Sequence, residues 1–323
     1  MATITRYVDP DATGAGTGVD WTNAYTSLSA YEAAETITNG TDDGVVWCRS
    51  SAGTADTTTA AFGTWDCNSL TIQAASGDEA VASGWDVSRY RLDPSTGSGI
   101  EINVPASGDY YVIGLQVRGA TAGESCIEII NGTGVLYIQS CYGYTTVSGV
   151  QGFNCNSSTT GDMHVRNSIV YSTVGGGGSE GIIFDACGTG TAYNCVVYGF
   201  EDGIEMDATA SGVTVRNCAV FNNTDDIDDV TGATITHCAT DDGDGTSGVT
   251  APTWANVFED AANGDFRLKA TDTSLTDAGT PLNGIFTDSI NGVDRGTSNW
   301  DIGAYEYAGG VDTPILVPTG PLR

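Results

Sequence analysis

Val215-Arg-Asn-Cys218-Ala-Val220 is one of several near-copies of a single phrase. Val112-Ile-Gly-Leu115-Gln-Val117, Ile138-Gln-Ser-Cys141, Val165-Arg-Asn-Ser168-Ile-Val170, Ala192-Tyr-Asn-Cys195-Val-Val197 and Ile235-Thr-His-Cys238 repeat it. Its fourth position is held in turn by Leu115, Cys141, Ser168, Cys195, Cys218 and Cys238, so every step lies in the twenties. A second phrase lies between these: Gly99-Ile-Glu-Ile, Cys126-Ile-Glu-Ile, Gly149-Val-Gln-Gly, Gly181-Ile-Ile-Phe, Gly203-Ile-Glu-Met and Asp226-Ile-Asp-Asp. Two or three short strands per repeat, at such a period, are the mark of a solenoid. Leucine-rich repeats share that period, but these strands are built from Val, Ile, Cys and Asn. The spacing predicts an all-β chain coiled as a parallel β-helix, each coil about 4.8 Å from the last.

Such stacking turns repeat positions into columns. Asn167, Asn194 and Asn217, followed by His237, form one column at a corner. Their side chains are expected to point inward, bonding the turn backbone and the neighbour one coil away. Cys141, Cys195, Cys218 and Cys238 form an adjacent column of small, polarizable fillers. Both columns read as structural.

Charge narrows the partners. Ten arginines and Lys269 stand against 41 acids, for a net charge of −30 over 323 residues. Nucleic acid is a poor partner for such a surface, since cationic groups must neutralise its phosphates. Other anionic polymers would need a bridging cation such as Ca²⁺. The opening residues show no basic stretch leading into an apolar one, so no signal peptide is expected. No apolar run approaches the length a membrane-spanning helix needs, roughly 18 residues or more, so no span is expected. Nine scattered cysteines without metal-ligand spacing read as reduced, buried thiols.

Both ends carry a resemblance. The opening RYVDPDATGAGTGVDWTNAYTSLSAYEAA, with its Tyr-Val-Asp strand and Trp-x-x-Ala-Tyr segment, resembles the N-terminal cap of right-handed parallel β-helix proteins. These are the pectin-lyase-like repeat proteins found in phage virions and tailspikes and among secreted polysaccharide-active proteins. The closing FEDAANGDFRLKATDTSLTDAGT and VDRGTSNWDIGAYEY resemble that group's C-terminal segment. The resemblance implies a right-handed solenoid with a short helical cap and an irregular C-terminal closure. The expected divisions are a cap over 1–44, coils over 45–244, a closing segment over 245–308 and an extended tail over 309–323. Function is not implied, because one fold of this kind hosts lyases, glycosidases and tailspikes alike.

Several constellations bear on chemistry. Aligning the second phrase puts Glu101, Glu128, Gln151, Ile183, Glu205 and Asp228 in one outward column, with Asp185 and Asp207 two residues beyond. Stacked carboxylates raise one another's pKa, which suits a general acid, and retaining glycosidases set their two carboxyl groups about 5 Å apart. Asp185, Glu205 and Asp207 are therefore the catalytic candidates if the chain is a glycoside hydrolase. A lyase would need a base beside a charge-neutralising group, and Lys269, Arg166 and Arg216 sit apart from any such set. No cofactor is expected beyond Ca²⁺, for which Asp242 and Asp244 are the candidate ligands. His164 and His237 fall in no nucleophile motif, and GGGGSEG (175–181) reads as a flexible insertion.

Two functions follow as expectations. The first is a non-enzymatic virion component, a capsid decoration or spike-like protein, able to bind host-surface glycans. Its tail, with Ile315, Leu316, Val317 and Leu322 set among three prolines, would dock on another chain, in a homotrimer or on a capsid protein. The alternative is a glycan-active β-helix using the carboxylates above.

Overall fold

A computed structural model describes residues 2–35, 37–106, 108–155, 161–185, 187–207, 210, 212–229 and 232–307. Three parallel sheets of nine, eight and seven strands run along it, joined only between successive coils. One coil shows the pattern. Asp162–Arg166 lies in the first sheet, Ile169–Ser172 in the second and Glu180–Phe184 in the third. Gly190–Tyr193 then returns to the first sheet, pairing Val165 with Ala192. This is an all-β parallel β-helix, with Leu28–Glu35 the one α-helix among the described residues. No described helix is long and apolar enough to cross a membrane.

The interior is filled by columns of apolar residues. Val165, Ala192 and Val215 come from the first sheet, Val170, Val197 and Val220 from the second, and Phe153, Ile182 and Ile204 from the third. All are fully buried. The cysteines of the second column join them, each thiol donating to the carbonyl two residues earlier, as in Cys195 Sγ to Tyr193 O at 3.3 Å and Cys218 Sγ to Arg216 O at 3.4 Å. All nine cysteines are free and buried.

In six successive coils the corner between the first two strands is left-handed. Gly114, Ser140, Asn167, Asn194, Asn217 and His237 have φ of 70, 51, 48, 51, 54 and 55°. That backbone breaks the strand alternation, which is why a polar residue stands beside core positions. It also corrects the direction expected for the asparagines. A residue in this conformation turns its side chain out of the coil, and the amides bond a segment packed outside. Asn167 Nδ2 donates to Asp288 O at 2.9 Å, Asn194 Nδ2 to Asp301 O at 3.1 Å and Asn217 Nδ2 to Thr280 O at 2.8 Å. One bond does link neighbouring coils, Asn217 Nδ2 to Asn194 Oδ1 at 3.2 Å. His237 shares the backbone conformation but not the bonding, since its Nδ1 is buried without a partner among the described residues.

The ends depart from the expected divisions. Thr3–Val8 pairs in register with Asp43–Cys48, so the opening strand of the cap is itself the first rung of the first sheet. The helix covers the solenoid's end through Leu28 and Tyr31, the latter 5.3 Å from the Trp65 ring. At the other end Val249–Thr250 pairs with Ala239–Thr240. The acidic stretch 241–248 is therefore a turn inside the last coil, and not its boundary. Beyond it the chain lies along the outer face of the second sheet and builds a second core. Ile169, Val196, Ala219 and Phe221 meet Val257, Phe258, Phe266 and Ile302 there. The fully buried Arg295 guanidinium fastens this layer, bonding Asp301 O, Gly303 O and Ala304 O at 2.9–3.1 Å and Glu306 Oε2 at 2.6 Å. The tail expected to bind a partner, with Ile315, Leu316, Val317 and Leu322, lies outside the described residues.

Candidate functional site

Packing decides which face of the coil can receive a ligand. The second sheet is largely covered by the C-terminal layer, which leaves a cavity of about 400 Å³ beside Tyr198, Phe221 and Trp254, and the third sheet presents acids. The first sheet keeps an open outer face carrying rings and cations. Tyr111, Tyr137, His164 and Thr191 are successive register partners in one outward column. Tyr111 and Tyr137 stack at 4.8 Å and 9°, and Tyr137 lies 5.2 Å from the His164 ring at 34°. Two residues further along the same strands, Gln139, Arg166, Tyr193 and Arg216 form the next outward column.

These columns enclose a cavity of about 330 Å³, lined by Tyr137, Gln139, His164, Arg166, Thr191, Tyr193, Val165 and the exposed Ile285. Arg166 is 9% exposed. Its Nη2 donates to Gln139 Oε1 at 3.0 Å and its guanidinium sits 4.9 Å from the Phe286 ring, yet its Nε has no partner among the described residues. A buried charged donor without an acceptor is costly, so a ligand acceptor there would satisfy it. His164 Nδ1 lies 3.0 Å from Thr191 Oγ1, and burial pushes the imidazole pKa down, so the ring is neutral at pH 7. Burial likewise raises Tyr111, to about 12, and Tyr137, leaving both phenols protonated. Flat apolar rings beside an amide, a hydroxyl and a guanidinium suit a polyhydroxylated ring, which offers C–H faces and edge hydroxyls together. Among the described residues the lining holds no carboxylate, so a carboxyl pair of the glycosidase kind is not found in this cavity.

The acidic column stands on another face and has a different membership. Its partners run Glu101, Glu128, Asn154, Ile183, Glu205 and Asp228. Gln151 is not in it; it pairs with Ser125 and donates to Glu180 Oε2 at 3.0 Å. The cause is a glycine column. A Cβ on Gly152 would fall 2.0 Å from the Gly181 carbonyl oxygen, and one on Gly181 2.4 Å from that of Gly203. The phrase in that coil is therefore Gly152-Phe-Asn-Cys, three residues after the one the sequence alignment took.

Glu205 is half-buried, and its pKa is pushed up to about 7 by burial first, then by Glu180, Asp202, Asp185 and Asp228. Of the three catalytic candidates, Asp185 thus acts on Glu205, while Asp207 is exposed at the end of its strand. Asp242 and Asp244 meet Asp225 of the third sheet, with carboxylate oxygens within 4.8 Å of one another. Burial, then Asp242, raises Asp244 to about 7. Three carboxylates supply part of the six to eight oxygens that Ca²⁺ takes. Lys269 is tied to Ala255 O at 2.6 Å and lines a cavity with Asp241, Glu259 and Asp260.

No family model and no curated protein matches the chain. Among solved structures, the crystal structure of pectate lyase Pel9A is similar over 94% of this chain and 96% of that one, at 15% identity and a TM-score of 0.44. The three stacked sheets, not this likeness, establish the parallel β-helix.

The sequence offered His164 and Arg166 as separate residues and did not assemble the cavity. The signal was present as periodicity, because Tyr111, Tyr137 and His164 recur at the step of the core phrase itself.

Proposed function

We propose that this chain is a glycan-binding solenoid whose recognition surface is the open face of the first sheet. The observation that carries the reading is the cavity in which Tyr137, stacked on Tyr111 and beside the His164 ring, meets the buried, part-unsatisfied Arg166. Tyr137→Ala removes a ring at the surface and should weaken binding about tenfold, which corresponds to about 1.4 kcal/mol. Affinity electrophoresis through gels holding soluble polysaccharides would measure this; equal retardation of variant and parent would count against it. Such a solenoid belongs on a virion, as a decoration or spike-like component, a placement supported by the resemblance of the two end segments. Mass spectrometry of purified particles tests that placement, and absence from the particle refutes it.

One observation favours a second reading, a glycoside hydrolase. A carboxyl with a pKa of about 7 is about half protonated at neutrality and can act as a general acid, with Asp185 as the partner carboxylate. Glu205→Gln should then abolish reducing-sugar release with the fold intact. If the parent releases none from a broad polysaccharide panel, the reading is finished.

A further inference from the structure

A separate cavity of about 470 Å³ lies where the cap meets the first coils, lined by Tyr7, Trp21, Trp47, Arg49, Ser76 and Asp78. Tyr7 and Trp47 are register partners, and Trp21 sets its ring 4.7 Å from Tyr7 at 60°. All three rings are half-buried, and neither indole N–H donates to a described residue. Arg49 lies 4.2 Å over Trp21 and is neutralised by Asp9 at 2.8 Å. Asp78 differs. Its Oδ1 accepts the Ser50 and Tyr90 amides at 2.9 and 2.8 Å, while Oδ2 has no bond among the described residues. Open rings, unused indole donors and one available carboxylate oxygen thus share a single hollow.

That combination suits a polyproline II segment. Its prolines repeat along one edge every third residue and pack on aromatic faces, and its carbonyls, free of internal bonds, accept from indole N–H groups. This chain carries such a segment in Thr313-Pro-Ile-Leu-Val-Pro318-Thr-Gly-Pro321-Leu-Arg323, within the residues beyond 307 that lie outside the described part. A period of three sets Ile315, Pro318 and Pro321 on one edge. Arg323 follows them, one of the chain's eleven cations.

The course of the last described residues aims this tail at the hollow. Gly279 N–H donates to Trp300 O at 2.7 Å beside Asn217, and Asn194 Nδ2 donates to Asp301 O at 3.1 Å. Arg295 Nη2 then holds Ala304 O at 2.9 Å and meets Asn167 Oδ1 at 3.5 Å. The three asparagines turn successive coils, and the segment passes them in reverse order, travelling toward the N-terminal end. Three strand steps, ~14 Å, separate the corner at Asn167 from the one at Ala74, next to Ser76 of the hollow. Residues 308–317 as polyproline II would span ~31 Å, so the tail reaches. Tethering favours it over the tail of a second copy. We infer that the tail docks in cis, with Ile315, Pro318 and Pro321 against Tyr7, Trp21 and Trp47 and Arg323 on Asp78. The strap fastens the end of the chain to its cap, and it is independent of the glycan-binding reading.

The full chain with photoreactive p-benzoylphenylalanine in place of Leu322 tests this. After irradiation, the tail should be joined to the tryptic peptide 7–49, which holds all three rings, in a product of monomer mass on a denaturing gel. Pro318→Ala combined with Pro321→Ala should cut that product at least roughly fivefold, and Arg323→Glu should also reduce it. These changes lie outside the solenoid, so an unchanged melting temperature is expected beside the loss. Synthetic TPILVPTGPLR should bind the double proline variant at least roughly tenfold more tightly than the parent, whose own tail competes. A product of dimer mass would overturn docking in cis, in favour of a second copy. Attachment elsewhere, no product, or a yield indifferent to the prolines would overturn the site.

Discussion

Six successive coils turn their first corner on a single residue held at positive φ, and the column Gly114, Ser140, Asn167, Asn194, Asn217, His237 shows what such a corner accepts. Glycine adopts the conformation freely, and short polar side chains tolerate it better than branched or long apolar ones. Asparagine adds a second role, because its amide reaches the C-terminal segment. Asn217 makes two such bonds, to Thr280 O and from the Thr280 N–H to its own Oδ1 at 2.9 Å, and a third to Asn194 Oδ1 in the neighbouring coil. Asn217→Gly keeps the backbone and loses the bonds, so it should cost about 1–3 kcal/mol. Asn217→Leu loses both and should cost about 1–2 kcal/mol more. Urea unfolding of the pair separates the terms. Equal costs would show that the left-handed backbone does not select the residue. A silent Asn217→Gly would show that the amide clamp holds nothing. The sequence displayed a polar residue beside core positions but not the hand of its backbone, and that hand sends the side chain outward. Gly114 at the head of the column was the available clue.

At the scale of strands and sheets, periodic features were legible and non-periodic ones were not. Val165, Ala192 and Val215 announced the coil because stacking repeats their environment once in every coil. The cover over the second sheet repeats nothing. Phe266 fits among Tyr171, Tyr198, Phe221 and Phe258, the first three from successive coils, at ring separations of 5.6–6.3 Å. No local pattern near Phe266 encodes that destination. The candidate cavity escaped for a related reason: its side chains alternate with the core phrase and so sat in the positions the alignment passed over. The acidic column was legible except in one coil, where Gly152 and not Gly149 sets the register. Because Phe266 is fully buried at the centre of the second core, Phe266→Ala should cost about 3–5 kcal/mol. Guanidinium unfolding gives the number, and a loss under about 1 kcal/mol would mean the C-terminal layer is loosely held.

Taken as one charged body, the molecule should be most stable on the acid side of neutrality. It carries a net charge of −30, and its carboxylates are drawn together by the coil's stacking. Burial, reinforced by neighbouring acids, raises Glu205 to about 7, Asp244 to about 7 and Asp226 to about 6. A carboxyl with a raised folded pKa binds its proton more tightly in the fold than in the unfolded chain. Its contribution is therefore complete below the unfolded value, near 4, and is lost as pH rises through 6 to 7. Asp86 works the other way: its partial burial is outweighed by hydrogen bonds from Ser88 and by Arg89, so its pKa is lowered and its contribution is lost only in stronger acid. The melting temperature should accordingly rise as pH falls from about 8 to about 5, then decline below about 4. Added salt should raise it more at pH 8 than at pH 5, since screening relieves repulsion only between ionised groups. Glu205→Gln removes one contributor. It should stabilise the protein at pH 8 by about 1 kcal/mol, after allowing for solvent screening of a half-exposed group, do much less at pH 5 and nothing below about pH 4. Calorimetric scans of both proteins across this range settle the sign. A melting temperature that is flat, or that falls toward pH 5, would show that these carboxylates do not repel one another enough to govern the fold.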